Sequence, residues 1–214
     1  MFVADWMTRQ LVTVVPDDSV SHAMQLMLER GIKHLPVVKD GAVVGVISDR
    51  DIRAYTPSKA TALDIYEINY LLAKAKVKDA MGARLTTTTP GTPIEEAALS
   101  LHENAIGCLP VVEGDVLVGI ISDRDIFRAL VDITGVRHGG HRVCVTVADR
   151  AGSIRAVTDI IRSHGFGLQG ILTSYEKVPK GSRSVVIRTD TRGDFEALRV
   201  DLLKDYPSLR IKKG

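Results

Sequence analysis

An octapeptide written twice constrains this chain more than any other feature. Gly45–Ile52 reads GVISDRDI and Gly119–Ile126 reads GIISDRDI, with one difference in eight residues and a separation of 74. The offset holds without a gap over a much longer stretch. Asp5 and Met7 map to Asp79 and Met81, Pro16 maps to Pro90, and Leu35-Pro36-Val37-Val38 maps to Leu109-Pro110-Val111-Val112. A repeat of this length is one supersecondary unit that buries its apolar face against its twin. The reading is a duplicated domain, residues 1–56 and 75–134, joined by residues 57–74.

Each copy predicts the order β-α-β-β-α. Val12 to Val15 is a β-branched run closed by Pro16. Val20, Ala23, Met24, Met27 and Leu28 follow a one-face helical spacing, and Gly31 is placed to end that helix. In the second copy Thr92, Pro93 and Glu95 read as N-cap, first-turn proline and capping acid ahead of Ile94, Ala97, Ala98 and Leu101. LPVV and AVVGVIS flank Lys39-Asp40-Gly41, and Asp-Gly between two apolar runs is a hairpin signal. SDRDI then opens the closing helix. Two such copies predict a pseudo-twofold pair whose equivalent loops form two related clefts. The joining segment carries Leu63, Tyr66, Ile68, Leu71 and Leu72, which predicts a helical linker lying against the pair.

Beyond the loop Gly135–Gly140 (GVRHGG) the pattern changes. Residues 141–214 predict a strand in HRVCVTVADR and a helix over Gly152–His164 with Ile154, Val157, Ile160 and Ile161 on one side. Two strands follow in LQGILTSYEKV and SRSVVIRTD, then a helix in DFEALRVDLLKDY and an edge strand in SLRIKK. This β-α-β-β-α-β succession is the split βαβ, ferredoxin-like order, so the chain as a whole reads as α+β.

The octapeptide supports two readings. Ser-x-x-Asp ahead of an apolar run is a capping box, in which the serine and carboxylate satisfy each other's backbone amides. Gly45 and Gly119 then merely permit a close backbone approach late in a strand. The same geometry suits a nucleotide. A helix N-terminus offers unpaired N–H groups to phosphate. A carboxylate one turn in can accept both hydroxyls of a ribose. Glycine lets a ligand lie on bare backbone, and the neighbouring LPVV strand can wall an adenine ring.

The D-x-M start, the I-x-x-L-P-V-V strand and the G-h-h-S-D-R-D-I end, present in order in both copies, resemble a tandem pair of CBS (cystathionine-β-synthase) domains. The resemblance implies adenosine nucleotides or related adenosyl compounds in the clefts. By it, Asp51 and Asp125 hold ribose hydroxyls and Ser48 and Ser122 lie near phosphate. Ile32, Leu35 and Pro36, with Ile106, Leu109 and Pro110, line the base sites. Arg50 and Arg124 are further candidate phosphate contacts. Lys33 and His34 precede the first LPVV where the family often places basic residues, whereas Gly107 and Cys108 carry no charge, so the first site is expected to favour phosphorylated ligand. The C-terminal segment resembles the ACT domain through Asp149-Arg150-Ala151-Gly152-Ser153-Ile154, with Ala151 where that family usually has proline. That implies an amino-acid site using Asp149, Gly152, Ser153 and Ile154, or a dimerisation surface, and hence a homodimer. CBS pair, helical insert and ACT segment together resemble the AcuB family of acetoin-utilisation proteins.

Other functions find no support in the residues. Gly165-Phe166-Gly167-Leu168-Gln169-Gly170 fits G-x-G-x-x-G, but it leaves a predicted helix and enters a strand, the reverse of a dinucleotide fingerprint. His138 and His141 have no evident third ligand, so no metal and no resident cofactor are expected. Nucleophile, P-loop and zinc-protease motifs are missing, which argues against an enzyme. Residues 1–140 carry 14 basic against 18 acidic side chains, and residues 141–214 carry 14 against 8. The cations are scattered and aromatics are few, which speaks against nucleic acid. No apolar run approaches the roughly 18–20 residues of a membrane span, and the amino terminus has no secretory pattern. Cys108 and Cys144 read as small buried residues in a reducing cytosol. The expectation is a cytoplasmic sensor that binds an adenosine nucleotide and acts on an unidentified protein partner. The competing expectation is a ligand-free scaffold in which SDRD is only a helix cap.

Overall fold

The computed structural model describes residues 1–55, 65–82 and 84–214, with residues 65–69 described by their backbone only. Within them the two copies fold alike. The first contains α1 (Val3–Trp6), α2 (Val20–Arg30), β1 (His34–Lys39), β2 (Ala42–Ser48) and α3 (Asp49–Tyr55). After α4 (Ile65–Lys74) the second contains α5 (Val77–Ala80), α6 (Ile94–Glu103), β3 (Cys108–Glu113), β4 (Val116–Ser122) and α7 (Asp123–Ile133).

The expected opening strand of each copy is reduced to a single bridge, Val14 to Val37 and Thr88 to Val111. Prolines explain the shortening. Val14 N–H donates to the Pro36 carbonyl and Val38 N–H donates to the Val14 carbonyl. The next bonds of that parallel ladder need an amide at Pro36 on one side and at Pro16 on the other, and neither has one. Pro110 and Pro90 impose the same limit on Thr88. The hairpins do form as expected. Asp40 and Gly41 both take positive φ, +50° and +85°, as a tight two-residue turn between twisted strands requires. The two hairpins join at one pair, Ala42 to Val116, giving the strand order β1-β2-β4-β3.

Helix ends show one departure. Thr92 does not cap α6; its hydroxyl turns back to Thr89, and Pro93 occupies the N-cap position. The corresponding residue of the first copy, Ser19, does cap α2 by accepting from His22 N–H at 3.1 Å. Gly31 ends α2 at φ +63°, and its counterpart Ala105 adopts φ +53° without glycine's freedom.

The opening helix of each copy packs on the other copy. Val3 and Ala4 N–H donate to the carbonyls of Thr92 and Pro90, and Thr8 bridges Ile120. Shifted by 74 residues, Val77 and Lys78 N–H donate to the carbonyls of Asp18 and Pro16, and Gly82 N–H to that of Val46. The exchange is reciprocal, as a pseudo-twofold relation requires. It places Val77 at the centre of the first core, with Val20, Ala23, Leu35, Val37 and Ile47. Leu72 of α4 is buried in the same core, so the linker does lie against the pair, and Leu71 faces solvent. The expected helical residue Leu63 and the side chains of Tyr66 and Ile68 fall outside the described set.

The described chain divides into two compact units, Met1–Phe127 and Arg128–Gly214. The end of α7 belongs with the second unit because it packs there: a Cβ on Gly170 would lie 3.1 Å from the Ile133 carbonyl. The second unit holds β5 (Arg142–Ala148), α8 (Ser153–Ser163), β6 (Leu168–Ser174), β7 (Ser182–Thr189), α9 (Phe195–Asp205) and β8 (Arg210–Lys212). Its strand order is β6-β7-β5-β8, all neighbours antiparallel. Val143, Val145 and Val147 alternate onto one face beneath Val157, Ile161, Leu198 and Leu202 of the two helices. Asp194 caps α9 by accepting from Glu196 and Ala197 N–H. The glycine-rich run at 165–170 does leave a helix, α8, and enter a strand, β6.

Candidate functional site

Each SDRD motif lies where a strand passes directly into a helix, β2 into α3 and β4 into α7. Ser48 N–H and the Ser48 hydroxyl both donate to Asp51 Oδ2, at 2.7 and 2.6 Å, and Asp51 N–H donates to Ser48 Oγ at 3.2 Å. In the second copy Ser122 N–H and hydroxyl donate to Asp125 Oδ2 at 3.0 and 2.7 Å. The first motif is therefore a formed capping box, worth about 1 kcal/mol, and in the second the aspartate takes the matching position beneath the serine amide and hydroxyl. The cap engages one carboxylate oxygen of Asp51. Among the described residues Oδ1 has no hydrogen-bond partner, so it remains open to a hydroxyl donor.

The neighbouring backbone is equally regular. Asp49 N–H donates to the Lys33 carbonyl and Asp123 N–H to the Gly107 carbonyl, both at 3.0 Å. Lys33, Arg50 and Arg124 are exposed, and Asp49 pairs with Arg53 at 2.7 Å. Ile32 and Ile106 are half-buried. Leu35 and Leu109 are fully buried, Leu35 within the first core. Pro36 and Pro110 are buried, with their carbonyls engaged by Val14 and Thr88.

The residues that distinguish the copies meet one another. A Cβ on Gly107 would lie 2.5 Å from His34 Nε2 and 2.9 Å from Cε1, so the imidazole fills the space that Gly107 leaves open. Burial holds His34 below the ordinary imidazole range, against the opposing pull of Asp123, Asp49 and Asp51. Carboxylates from both motifs thus surround one ring. Burial raises the Cys108 thiol to about 12, aided by Asp123 and Asp51, which makes it an inert small side chain. The structure turns His34 toward the seam between the copies and leaves Lys33 exposed, as Arg50 is.

Gly45 and Gly119 prove to be packing positions. A Cβ on Gly45 would lie 2.7 Å from the Met81 sulfur, and one on Gly119 would lie 2.6 Å from the Met7 sulfur and 3.3 Å from the Thr8 carbonyl. At Gly119 the exchanged segment brings its backbone close, and at Gly45 it brings the Met81 side chain.

In the second unit the Asp149–Ile154 loop is held from within by Arg183, which periodicity could not reveal. Its Nη2 donates to Ser153 Oγ at 3.0 Å, and its Nε lies 3.7 Å from Asp149 Oδ1. Gly152 stands at the N-cap of α8 with φ +81°. His141 accepts from Gly214 N–H and packs edge-on to Phe166, apart from any metal geometry. Among the described residues no cluster of three metal-ligating groups occurs, and no helix is long and apolar enough to cross a membrane.

Reciprocally packed copies of one small α/β unit, each closing on a serine–aspartate pair at a helix start, define a tandem-repeat pair. The sequence profile of the CBS domain matches residues 3–58 and 77–132, just over half of the chain. The chain belongs to the CBS domain family. A putative acetoin utilization protein (AcuB) from Vibrio cholerae is 29% identical, with a TM-score of 0.53 over 64% of this chain and 96% of that one. CBSX2, solved in complex with AMP, is 33% identical, with a TM-score of 0.50 over 62% of this chain and 97% of that one. A homoserine O-acetyltransferase of Methanococcoides burtonii is 35% identical over 130 residues, 60% of this chain but only 24% of that protein.

Proposed function

We propose that the CBS pair binds an adenosine nucleotide or related adenosyl ligand at the SDRD motifs, and that the protein is a cytoplasmic regulator rather than an enzyme. The observation that carries this reading is the open oxygen of Asp51 beside a formed helix N-terminus. One carboxylate oxygen keeps the cap while the other takes ribose hydroxyls, so capping and binding do not compete. The AMP complex of CBSX2, a relative at 33% identity, supports it. Ligand at the seam between copies shifts their relative stability, and it acts on a protein partner only through its differential affinity for the two states. The first motif is the stronger phosphate site because Lys33 has no charged counterpart at Gly107.

In this proposal the second unit is a ferredoxin-like ACT module over residues 141–214 that serves dimerisation or amino-acid sensing, and the pathway is acetoin utilisation. The topology β-α-β-β-α-β supports the fold assignment. The alternative, a ligand-free scaffold, draws on the serine–aspartate bonds, which give the motif a structural role of its own. Calorimetric titration of AMP, ADP, ATP, NADH and S-adenosylmethionine separates the two. The sensor reading expects saturable binding that Asp51→Ala or Asp125→Ala abolishes, with Lys33→Ala weakening nucleotide phosphates selectively. No binding by any of the five, with both variants merely less stable, leaves the scaffold.

A further inference from the structure

The face of the second unit's sheet turned away from its helices carries a row of like charges. Arg188 of β7 is the register partner of Arg142 of β5, and Arg142 is in turn the partner of Lys212 of β8. Arg210 lies on the same face opposite Cys144. Like charges directly opposite one another on a sheet are destabilising. Among the described residues, none of these four cations belongs to an ion pair.

Between the first two of them is a cavity of about 120 Å³, lined by Arg142, Arg188, Thr134, Gly170, Leu172 and Val186. Among the described residues no carboxylate lines it. The space is several times the roughly 10–15 Å³ that admits one water, and well below the roughly 300 Å³ at which small-molecule pockets begin. Gly170 lets the end of α7 come close, a Cβ there lying 3.1 Å from the Ile133 carbonyl, while Leu172 and Val186 make one wall apolar. Arg188 is already oriented, since its Nη1 donates to the carbonyls of Gly139 and Gly140 at 3.1 and 3.4 Å, and its Nε and Nη2 remain for other acceptors. The Thr134 hydroxyl is spent on the Val131 carbonyl.

We propose that this cavity binds the head of a small oxyanion, a carboxylate or phosphate group carrying no more than a few carbon atoms. Arg142 and Arg188 both line this one space, a guanidinium fork matches the paired oxygens of either head group, and a bound anion would offset their cross-strand repulsion. The site is separate from the SDRD motifs, and a full nucleotide does not fit the volume.

The test uses the full chain at low ionic strength, titrated by calorimetry with inorganic phosphate and with isobutyrate. The expected result is saturable one-to-one binding of at least one probe, weakened about tenfold or more by Arg142→Gln, as loss of a charged hydrogen-bond partner implies. Arg210→Gln, on the same face but outside the cavity, leaves it unchanged. The tighter probe names the head group. Unliganded melting temperatures of the variants establish that they are folded. Equal weakening by both variants assigns the face to diffuse polyanion attraction and overturns the proposal, as does the failure of both probes to bind. Tighter binding of an oligonucleotide, sensitive to Arg210→Gln, overturns it in the same way.

Discussion

Replacing Gly107 by alanine tests whether the difference between the two motifs is a matter of shape. The new Cβ would lie 2.5 Å from His34 Nε2 and 2.9 Å from Cε1, closer than real Cβ contacts come. The imidazole is short, half-buried and pressed between the copies, so it has little room to swing aside. Overpacking of this kind costs about 1–3 kcal/mol, which for a chain of this length lowers the melting temperature by roughly 2–4 °C per kcal/mol. The decisive measurement is a double-mutant cycle followed by urea unfolding. Gly107 does not adopt positive φ, so once His34→Ala removes the obstacle, Gly107→Ala should be neutral, or stabilising by about 0.4–1 kcal/mol through its effect on the unfolded chain. The cycle should therefore show a coupling of at least about 1 kcal/mol. An identical cost for Gly107→Ala with and without His34 would refute the steric pairing.

Two further outcomes follow from local geometry. Ala105→Gly should stabilise the chain by up to about 1 kcal/mol, because Ala105 holds a left-handed conformation that costs an L-residue about 1–2 kcal/mol and glycine much less; an unchanged urea midpoint would contradict this. Acid should weaken the fold through His34 and His141, both held below the ordinary range chiefly by burial. For each, the unfolded chain takes up its proton first, so their contribution is fully present above about pH 6.5 and is lost as pH falls below it. Urea midpoints compared at pH 7.5 and 5.5 should drop, and glutamine at either position should flatten part of the slope; a midpoint that does not move would sink the assignment.

Much of the fold can be read from local pattern, and the exceptions share one physical origin. Asp40-Gly41, the alternating valines of β5 and the apolar stripes of α2 and α8 each encode their own geometry. The opening strands are shorter than the pattern suggests because Val12–Val15 looks like strand on its own, whereas its ladder is cut on one side by its own Pro16 and on the other by Pro36 of the partner strand, about 20 residues away. Thr92 had the composition of a cap but sits one residue before the N-cap position. The motif's serine and aspartate were legible as a cap, and the structure forms it. What stayed hidden was contact between segments distant in sequence: the methionines over Gly45 and Gly119 and the imidazole in the gap at Gly107, all between copies, and Arg183 beneath its loop in the second unit. A repeat reveals that two units exist without saying which surface of one meets which surface of the other.

The exchanged opening helices have a consequence for how such a chain could arise. A lone copy would leave Val3 or its counterpart Val77, both fully buried, without a core to enter. It could complete itself only by trading that segment with a second molecule, which is a domain-swapped dimer. Fusing two copies through α4 turns this bimolecular trade into an intramolecular one, at an effective concentration that tethering raises to about the millimolar range. Once tethered, the partners no longer need to remain identical, so an imidazole on one side and a bare glycine on the other became possible at the same seam.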